Sequence, residues 1–196
     1  AEVIALCGEY ETEEEVFKLI IDHIEIIKSY NRNFDLVPNF GVYFLDDLTL
    51  SPGVMLDRAT LAAKECKGNY IDTVGVFKPE MSIRLEKEQE IVNEMVQALQ
   101  EEQFVVYLQP KYSLETNAPA GAEALVRWMH PKKGMVSPGL FIPVFEKNGF
   151  IERLDHYVWE VICKYLRKWL DEGIKPHPIS VNISRVDLYN PQIVEF

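Results

Sequence analysis

One carboxylate, one guanidinium and two carboxamides are the side chains whose positions in this sequence invite chemistry. In Gly121-Ala122-Glu123-Ala124-Leu125-Val126-Arg127-Trp128, an extended backbone sends alternate side chains to opposite faces, so Glu123, Leu125 and Arg127 share one face. A carboxylate and a guanidinium on an otherwise apolar strand are costly to bury unless they are paired or have a ligand. Two readings follow. Either the two form a structural ion pair on the strand, or Glu123 holds a metal ion while Arg127 meets a phosphate. Asn182, in Val181-Asn182-Ile183, is either a buried amide bonded to neighbouring backbone or an oxygen ligand for a hard cation such as Mg²⁺. Gln109, before Pro110, is either a turn residue or a hydrogen-bond donor to a ligand.

The elements that must position these residues are legible in the hydrophobic pattern. Residues 104–108 read as an apolar strand, 118–128 as a second strand and 179–183 as a third. Between them the spacing predicts a helix over about 143–148, led in by 138–141. A long helix over 151–170 follows, with Gly173 as its stop. Strand, helix, strand with polar residues at strand ends is the grammar of an α/β barrel or open sheet. Residues 80–102 lack Gly and Pro and are rich in Glu, Lys and Gln, which predicts a long amphipathic connecting helix that also opens the next domain.

The first part of the chain follows another rhythm. Residues 3–7 read as a short buried strand. Thr12 with Glu15 resembles a capping box that starts a helix running to about Tyr30. His23 lies on that helix's apolar stripe with no partner at metal-binding spacing, so it reads as a core histidine. Residues 36–45 read as a strand pair around a turn, 54–66 as a helix stopped by Gly68, and 71–77 as a final strand, with Lys78-Pro79 closing the unit.

Composition narrows the classes. Of the 196 residues 47% are hydrophobic, enough for a real core, and the formal net charge is −11. That charge argues against a nucleic-acid polymer as partner; an anionic ligand would need local arginines or a metal ion. The three cysteines, Cys7, Cys66 and Cys163, are odd in number and far apart, so they read as buried, reduced thiols of a cytoplasmic protein. No apolar run approaches the roughly 20 residues of a membrane span. The chain starts inside an apolar segment and stops without a cap, so both ends read as cuts through larger domains.

Taken in order, Gln109-Pro110, Glu123-Ala124-Leu125-Val126-Arg127-Trp128, Phe141-Ile142-Pro143, Gly149-Phe150-Ile151 and Ser180-Val181-Asn182-Ile183-Ser184 resemble the EAL family of cyclic di-GMP phosphodiesterases. The resemblance implies a TIM-barrel-like domain, present here in part over residues 103–196, that hydrolyses cyclic di-GMP to pGpG with Mg²⁺ or Mn²⁺. Carried over by position, Glu123 and Asn182 match metal ligands, and Gln109, Leu125 and Arg127 match contacts to the dinucleotide. Val144-Phe145-Glu146 stands where the family usually has a small residue before the glutamate. The family's later metal-binding acids and catalytic lysine have no counterpart before Phe196, so no catalytic residue is assigned and the 196-residue chain is expected to have negligible activity. The alternative is an EAL module that binds cyclic di-GMP or a protein partner without hydrolysis.

Residues 1–80 resemble the later half of a GGDEF domain, in the strand and helix at 3–30, Phe40-Gly41-Val42, Ala62-Ala63-Lys64 and Gly68-Asn69. That resemblance implies a cyclase-like, ferredoxin-like α/β domain. Should Glu2-Val3 align with the family's acidic pair, the second acid is lost, so the domain is expected to be degenerate. The expected organisation is therefore this domain, a connecting helix over 81–102 and the EAL portion, together a tandem signalling protein. A homodimer through the EAL portion or the connecting helix is a further expectation, as are membrane or sensor segments elsewhere in a longer protein.

Overall fold

In the computed structural model, which describes residues 8–10, 12–30, 38–68, 72–189 and 193, Thr12 caps the first helix. Its Oγ1 accepts a hydrogen bond from Glu15 N at 3.3 Å, and Glu13, Glu14 and Glu15 bring negative charge to the first turn of α1 (Glu13–Tyr30), where the helix dipole favours it. His23 is half-buried with Nδ1 2.8 Å from Leu19 O, a satisfied histidine as expected. The expected strand at 3–7, and with it Glu2, Val3 and Cys7, lies outside the described residues. The chain divides into two units, 1–86 and 87–196.

In the first unit, β1 (Phe40–Val42) and β2 (Val74–Val76) pair in parallel, Gly41 opposite Gly75. The expected strand pair at 36–45, of which 36–37 lie outside the described residues, is thus corrected over 38–45. The alternation around Phe40 marks a strand but does not say where its partner lies, and the partner arrives only after α2 (Pro52–Glu65), as parallel pairing requires a crossover. Ser51 caps α2, with Pro52 in its first turn. The helix lies so close to the strands that a Cβ on Gly41 would stand 1.8 Å from Ala59 O, and one on Gly75 2.2 Å from Ala62 O. Both obstacles are backbone. Gly41→Ala is therefore expected to destabilise this unit by about 1–3 kcal/mol or more, the range for overpacking, read as a lowered urea midpoint. Arg58 ties the far end, its guanidinium 4.9 Å over the Tyr43 ring and 5.2 Å over Phe77, with Nη1 donating to Tyr43 Oη at 2.6 Å.

Helix α3 (Pro79–Gln100) carries the boundary between the units within it, and Pro79 opens this helix rather than closing the first unit. In the second unit β3 (Phe104–Tyr112) and β4 (Pro119–His130) form a long antiparallel pair, with Phe104 opposite Trp128 and Gln109 opposite Glu123. Strand β5 (Gly134–Val136) folds back on the edge of β4 away from β3, and β6 (Ile179–Ser180) joins that same edge further along in parallel. The sheet order is β3-β4-β5, with β6 against β4.

Alternation on β4 decides the packing. Ala124 and Trp128 are buried and, with Val126, pack towards α4 (Pro138–Asn148) and α5 (Ile151–Asp171). Phe104, Trp128, Phe141, Phe145, Phe150 and Leu154 fill that core, and Tyr157 Oη donates to Phe104 O at 2.9 Å. Two expectations change here. Helix α4 starts at Pro138 rather than near Pro143, because Ser137 and Pro138 provide a good helix start; Pro143 then sits inside it, forgoing one backbone bond. Strand β6 ends at Ser180 rather than Ile183. Beyond it side chains take over the backbone: Trp159 Nε1 donates to Asn182 O at 3.0 Å, and Asp155 Oδ2 accepts from Ser184 N at 3.0 Å.

Cys66 is buried as expected, but Cys163 is exposed; it falls on the solvent side of α5, which the helical stripe through Val158 and Ile162 leaves open. Among the described residues no helix is long and apolar enough to cross a membrane.

Candidate functional site

The face of β4 turned away from α4 and α5 carries Glu123, Leu125 and Arg127, all half-buried. Because directly opposed residues on neighbouring strands share a face, Gln109 stands beside Glu123 on one side. Ser180 stands beside it on the other. A carboxylate, a carboxamide and a hydroxyl therefore line up across three strands. Lys111, two residues beyond Gln109 on the same face, completes the group. Its Nζ donates to Ser180 Oγ at 2.6 Å and lies 4.0 Å from Glu123 Oε2, while Ser180 Oγ donates to Ala122 O at 3.3 Å. The Glu123 side chain is 37% exposed, so this carboxylate meets solvent while its backbone is held by ladders on both sides.

Arg127 is not the partner of Glu123. Four residues along a strand separate their backbones by roughly 13 Å, and the Arg127 guanidinium instead stands 5.8 Å over the Tyr107 ring with Nη1 donating to Val126 O at 2.8 Å. The strand-borne ion pair is thereby set aside. Leu125 lies between them, opposite Tyr107. Asn182 follows two residues after Ser180, the partner of Glu123, and its side chain is exposed rather than a buried amide. It also borders a cavity of about 190 Å³ shared with Val126, Glu146, Asp155 and Ser184. The structure thus sets Gln109 and Glu123 side by side, with Asn182 two residues after Ser180, past the end of β6. Arg127 stands further along the same face.

A carboxylate oxygen and an amide carbonyl are hard donors of the kind Mg²⁺ and Mn²⁺ accept. Glu123 and Asn182 therefore fit such an ion chemically, and the solvent access of both leaves room for water ligands. Lys111 was not singled out from the sequence. Its signal was there, because a residue two beyond Gln109 on a strand must share its face.

A second group escaped the sequence reading altogether. Asp155 lies on the apolar stripe of α5, and Asp187 in the short α6 (Arg185–Leu188) is fully buried. Burial, with the neighbouring Asp187 carboxylate, pushes the Asp155 carboxyl up to about 7. His156 Nε2 lies 3.5 Å from Asp187 Oδ1, and Glu152, one turn before His156, brings a third ligand-type atom into the cluster. The Glu152-x-x-x-His156 spacing was the available clue, since residues four apart stack on one helical face.

Residues 92–196, more than half of the chain, match the EAL domain family. Among curated relatives, the chain is 33% identical over 119 residues to the bifunctional diguanylate cyclase/cyclic di-GMP phosphodiesterase MucR of Pseudomonas aeruginosa, covering 61% of this chain and 17% of that protein. It is 31% identical over 155 residues to an uncharacterized signaling protein of Caulobacter vibrioides, covering 79% of this chain and 19% of that one. Among solved structures, the PaMucR phosphodiesterase in complex with c-di-GMP aligns with a TM-score of 0.50 at 35% identity, over 54% of this chain and 43% of that one. The Xanthomonas citri FimX EAL domain in complex with c-diGMP aligns with a TM-score of 0.50 at 22% identity, over 58% of this chain and 44% of that one, a likeness of fold. The chain thus spans less than a fifth of the length of those two relatives.

Proposed function

Because this chain belongs to the EAL domain family, we propose that it serves in cyclic di-GMP signalling, as part of a longer protein that hydrolyses cyclic di-GMP to pGpG. The observation that carries this reading is the alignment of Gln109, Glu123 and Ser180 across three paired strands. They lie on a sheet face that the helices leave open, with Arg127 further along it. The relatives supply the chemical context: EAL phosphodiesterases are divalent-metal-dependent as a family, and the solved phosphodiesterase at 35% identity is a c-di-GMP complex.

In this reading Glu123 and Asn182 hold Mg²⁺ or Mn²⁺ through one carboxylate and one carbonyl oxygen. When bound, such an ion polarises a phosphoryl oxygen and lowers the pKa of its water. The chain's own residues then orient the substrate. Gln109 offers an amide donor beside Glu123, Arg127 offers a guanidinium suited to a phosphate, and Leu125 gives an apolar surface between them. Tyr107 under the Arg127 guanidinium restrains it, which lowers the ordering cost of each hydrogen bond it makes to the ligand. Lys111 adds positive charge beside Glu123, which helps an acidic protein admit a doubly anionic ligand.

Two protein ligands are few for a divalent ion that must also activate water, so hydrolysis is assigned to the longer protein. Residues 1–80 are read as the later part of a degenerate GGDEF domain, supported by the sequence resemblance and by the β1-α2-β2 arrangement.

The test is chromatographic. The 196-residue chain and the longer natural protein are each incubated with cyclic di-GMP and Mg²⁺ or Mn²⁺. The longer protein is expected to release pGpG and the 196-residue chain to release none. Turnover by the short chain would refute its assignment as inactive. Calorimetric binding by the longer protein without turnover would make it a receptor, and neither binding nor turnover would remove the cyclic di-GMP reading.

A further inference from the structure

On the helix side of the sheet, opposite the face of Glu123, Glu152 and His156 lie four residues apart on α5 and so stack on one face of it. Asp187, from α6, meets them. One ligand-type atom from each of the three lies within 4.8 Å of the others, and His156 Nε2 stands 3.5 Å from Asp187 Oδ1.

Asp187 makes this more than a chance gathering of polar groups. Its side chain is 1% exposed. Oδ2 accepts a hydrogen bond from Ser184 Oγ at 2.6 Å. Oδ1 has no hydrogen-bond partner, and it is the one buried side-chain nitrogen or oxygen so placed among the described residues. A buried acceptor without a donor is costly, and this one lies 3.5 Å from His156 Nε2, in a cluster to which Glu152 brings a carboxylate oxygen; both groups can ligate a cation. We propose that Glu152, His156 and Asp187 form a binding site for a first-row divalent transition-metal ion of the Zn²⁺ class.

The geometry suits that class. Tetrahedral Zn²⁺ with bonds of about 2.0–2.1 Å sets its ligand atoms roughly 3.4 Å apart, close to the His156–Asp187 separation of 3.5 Å. The separations, all within 4.8 Å, must close by up to about 1.4 Å to reach that spacing, which the half-buried Glu152 side chain can do by rotation. An imidazole among the donors favours Zn²⁺ over Mg²⁺ or Ca²⁺. Three protein ligands leave the fourth position to water. Ser184 already holds the second carboxylate oxygen, the kind of outer hydrogen bond that orients a ligating carboxylate. A metal here joins α6 to α5 across the segment 181–184, and so anchors the stretch that carries Asn182. The site is distinct in residues and in donor chemistry from the pair Glu123 and Asn182.

The test uses the 196-residue chain stripped with chelator and titrated calorimetrically with ZnCl₂ in excess Mg²⁺, which occupies oxygen-only sites. Expected is one equivalent of Zn²⁺ and a raised melting temperature. His156→Ala and Glu152→Gln are each expected to weaken binding at least about 10-fold and to abolish the thermal shift. Both residues are partly exposed, so both variants should fold, and circular dichroism of the metal-free forms checks this. Co²⁺ should give the visible absorption of a four-coordinate site, lost in His156→Ala. Absence of equimolar binding, or wild-type affinity in both variants, overturns the proposal, since zinc taken up at Cys163 or His177 would survive both substitutions.

Discussion

Glu123→Gln, made in the longer protein, is expected to lower cyclic di-GMP turnover at least about 100-fold, because loss of an outer-shell partner alone costs a metal site about 10–100-fold and Glu123 is read as a direct ligand. The substitution keeps the shape and one carbonyl oxygen but removes the charge that attracts a divalent ion. Two features make the experiment clean. The side chain is 37% exposed and its ion-pair partner is Lys111 at 4.0 Å, an exposed contact worth little to stability, so the melting temperature should stay close to wild type. The strand is held through backbone ladders on both sides, so Gln109 and Ser180 keep their places. Raising Mn²⁺ should recover part of the lost activity, as expected for weakened metal affinity. Turnover within a few-fold of wild type would remove Glu123 from the metal site and, with it, the mechanism proposed here.

The largest expected loss of stability follows from Trp128→Ala, about 3–5 kcal/mol, the range for emptying a buried large aromatic. Trp128 is 1% exposed. Its ring centre lies 5.3 Å from that of Phe104, 5.8 Å from Phe141 and 6.4 Å from Phe145, and its Nε1 donates to Gln103 Oε1 at 2.9 Å. Three neighbours are themselves rigid rings, so the hole cannot close by small rotations, and the cavity cost adds to the lost transfer energy. Trp128→Phe should cost less, retaining most of the packing and losing the hydrogen bond. The readout is the urea midpoint of the second unit. An alanine variant within about 1 kcal/mol of wild type would show that this cluster does not carry the core.

The segment around Glu123 shows how function and fold were written together. Alternation along 121–128 places Glu123, Leu125 and Arg127 on one face. The structure buries Ala124 and Trp128 on the opposite face, with Val126 half-buried beside them. The spacing could not say that Gln109 would be the register partner of Glu123, because strand pairing joins residues 14 positions apart through a ladder that no local pattern encodes. The face of Lys111 follows from its spacing to Gln109, but its partner does not. Its role depends on Ser180, which arrives from β6, across two helices.

Helices were read more fully than strands because their signals are local. Thr12 caps α1, and Gly68 and Gly173, both with left-handed backbone, follow the ends of α2 and α5 within three residues. The error at 36–45 was of the opposite kind. A strand does not carry the address of its partner, and that of β1 lay beyond α2.

By itself the amino-acid order determined the α/β class, the amphipathic helices, and a family membership resting on an ordered set of short motifs, since each of these is set by periodicity or by residue type at fixed spacing. Only the tertiary structure decided which side chains meet. It paired Glu123 with Gln109 and Ser180, parted it from Arg127, and brought Asp187 against His156 and Asp155. The physical reason is that side-chain chemistry acts over a few ångströms, while the residues that share those distances are chosen by sheet register and helix packing over tens of residues.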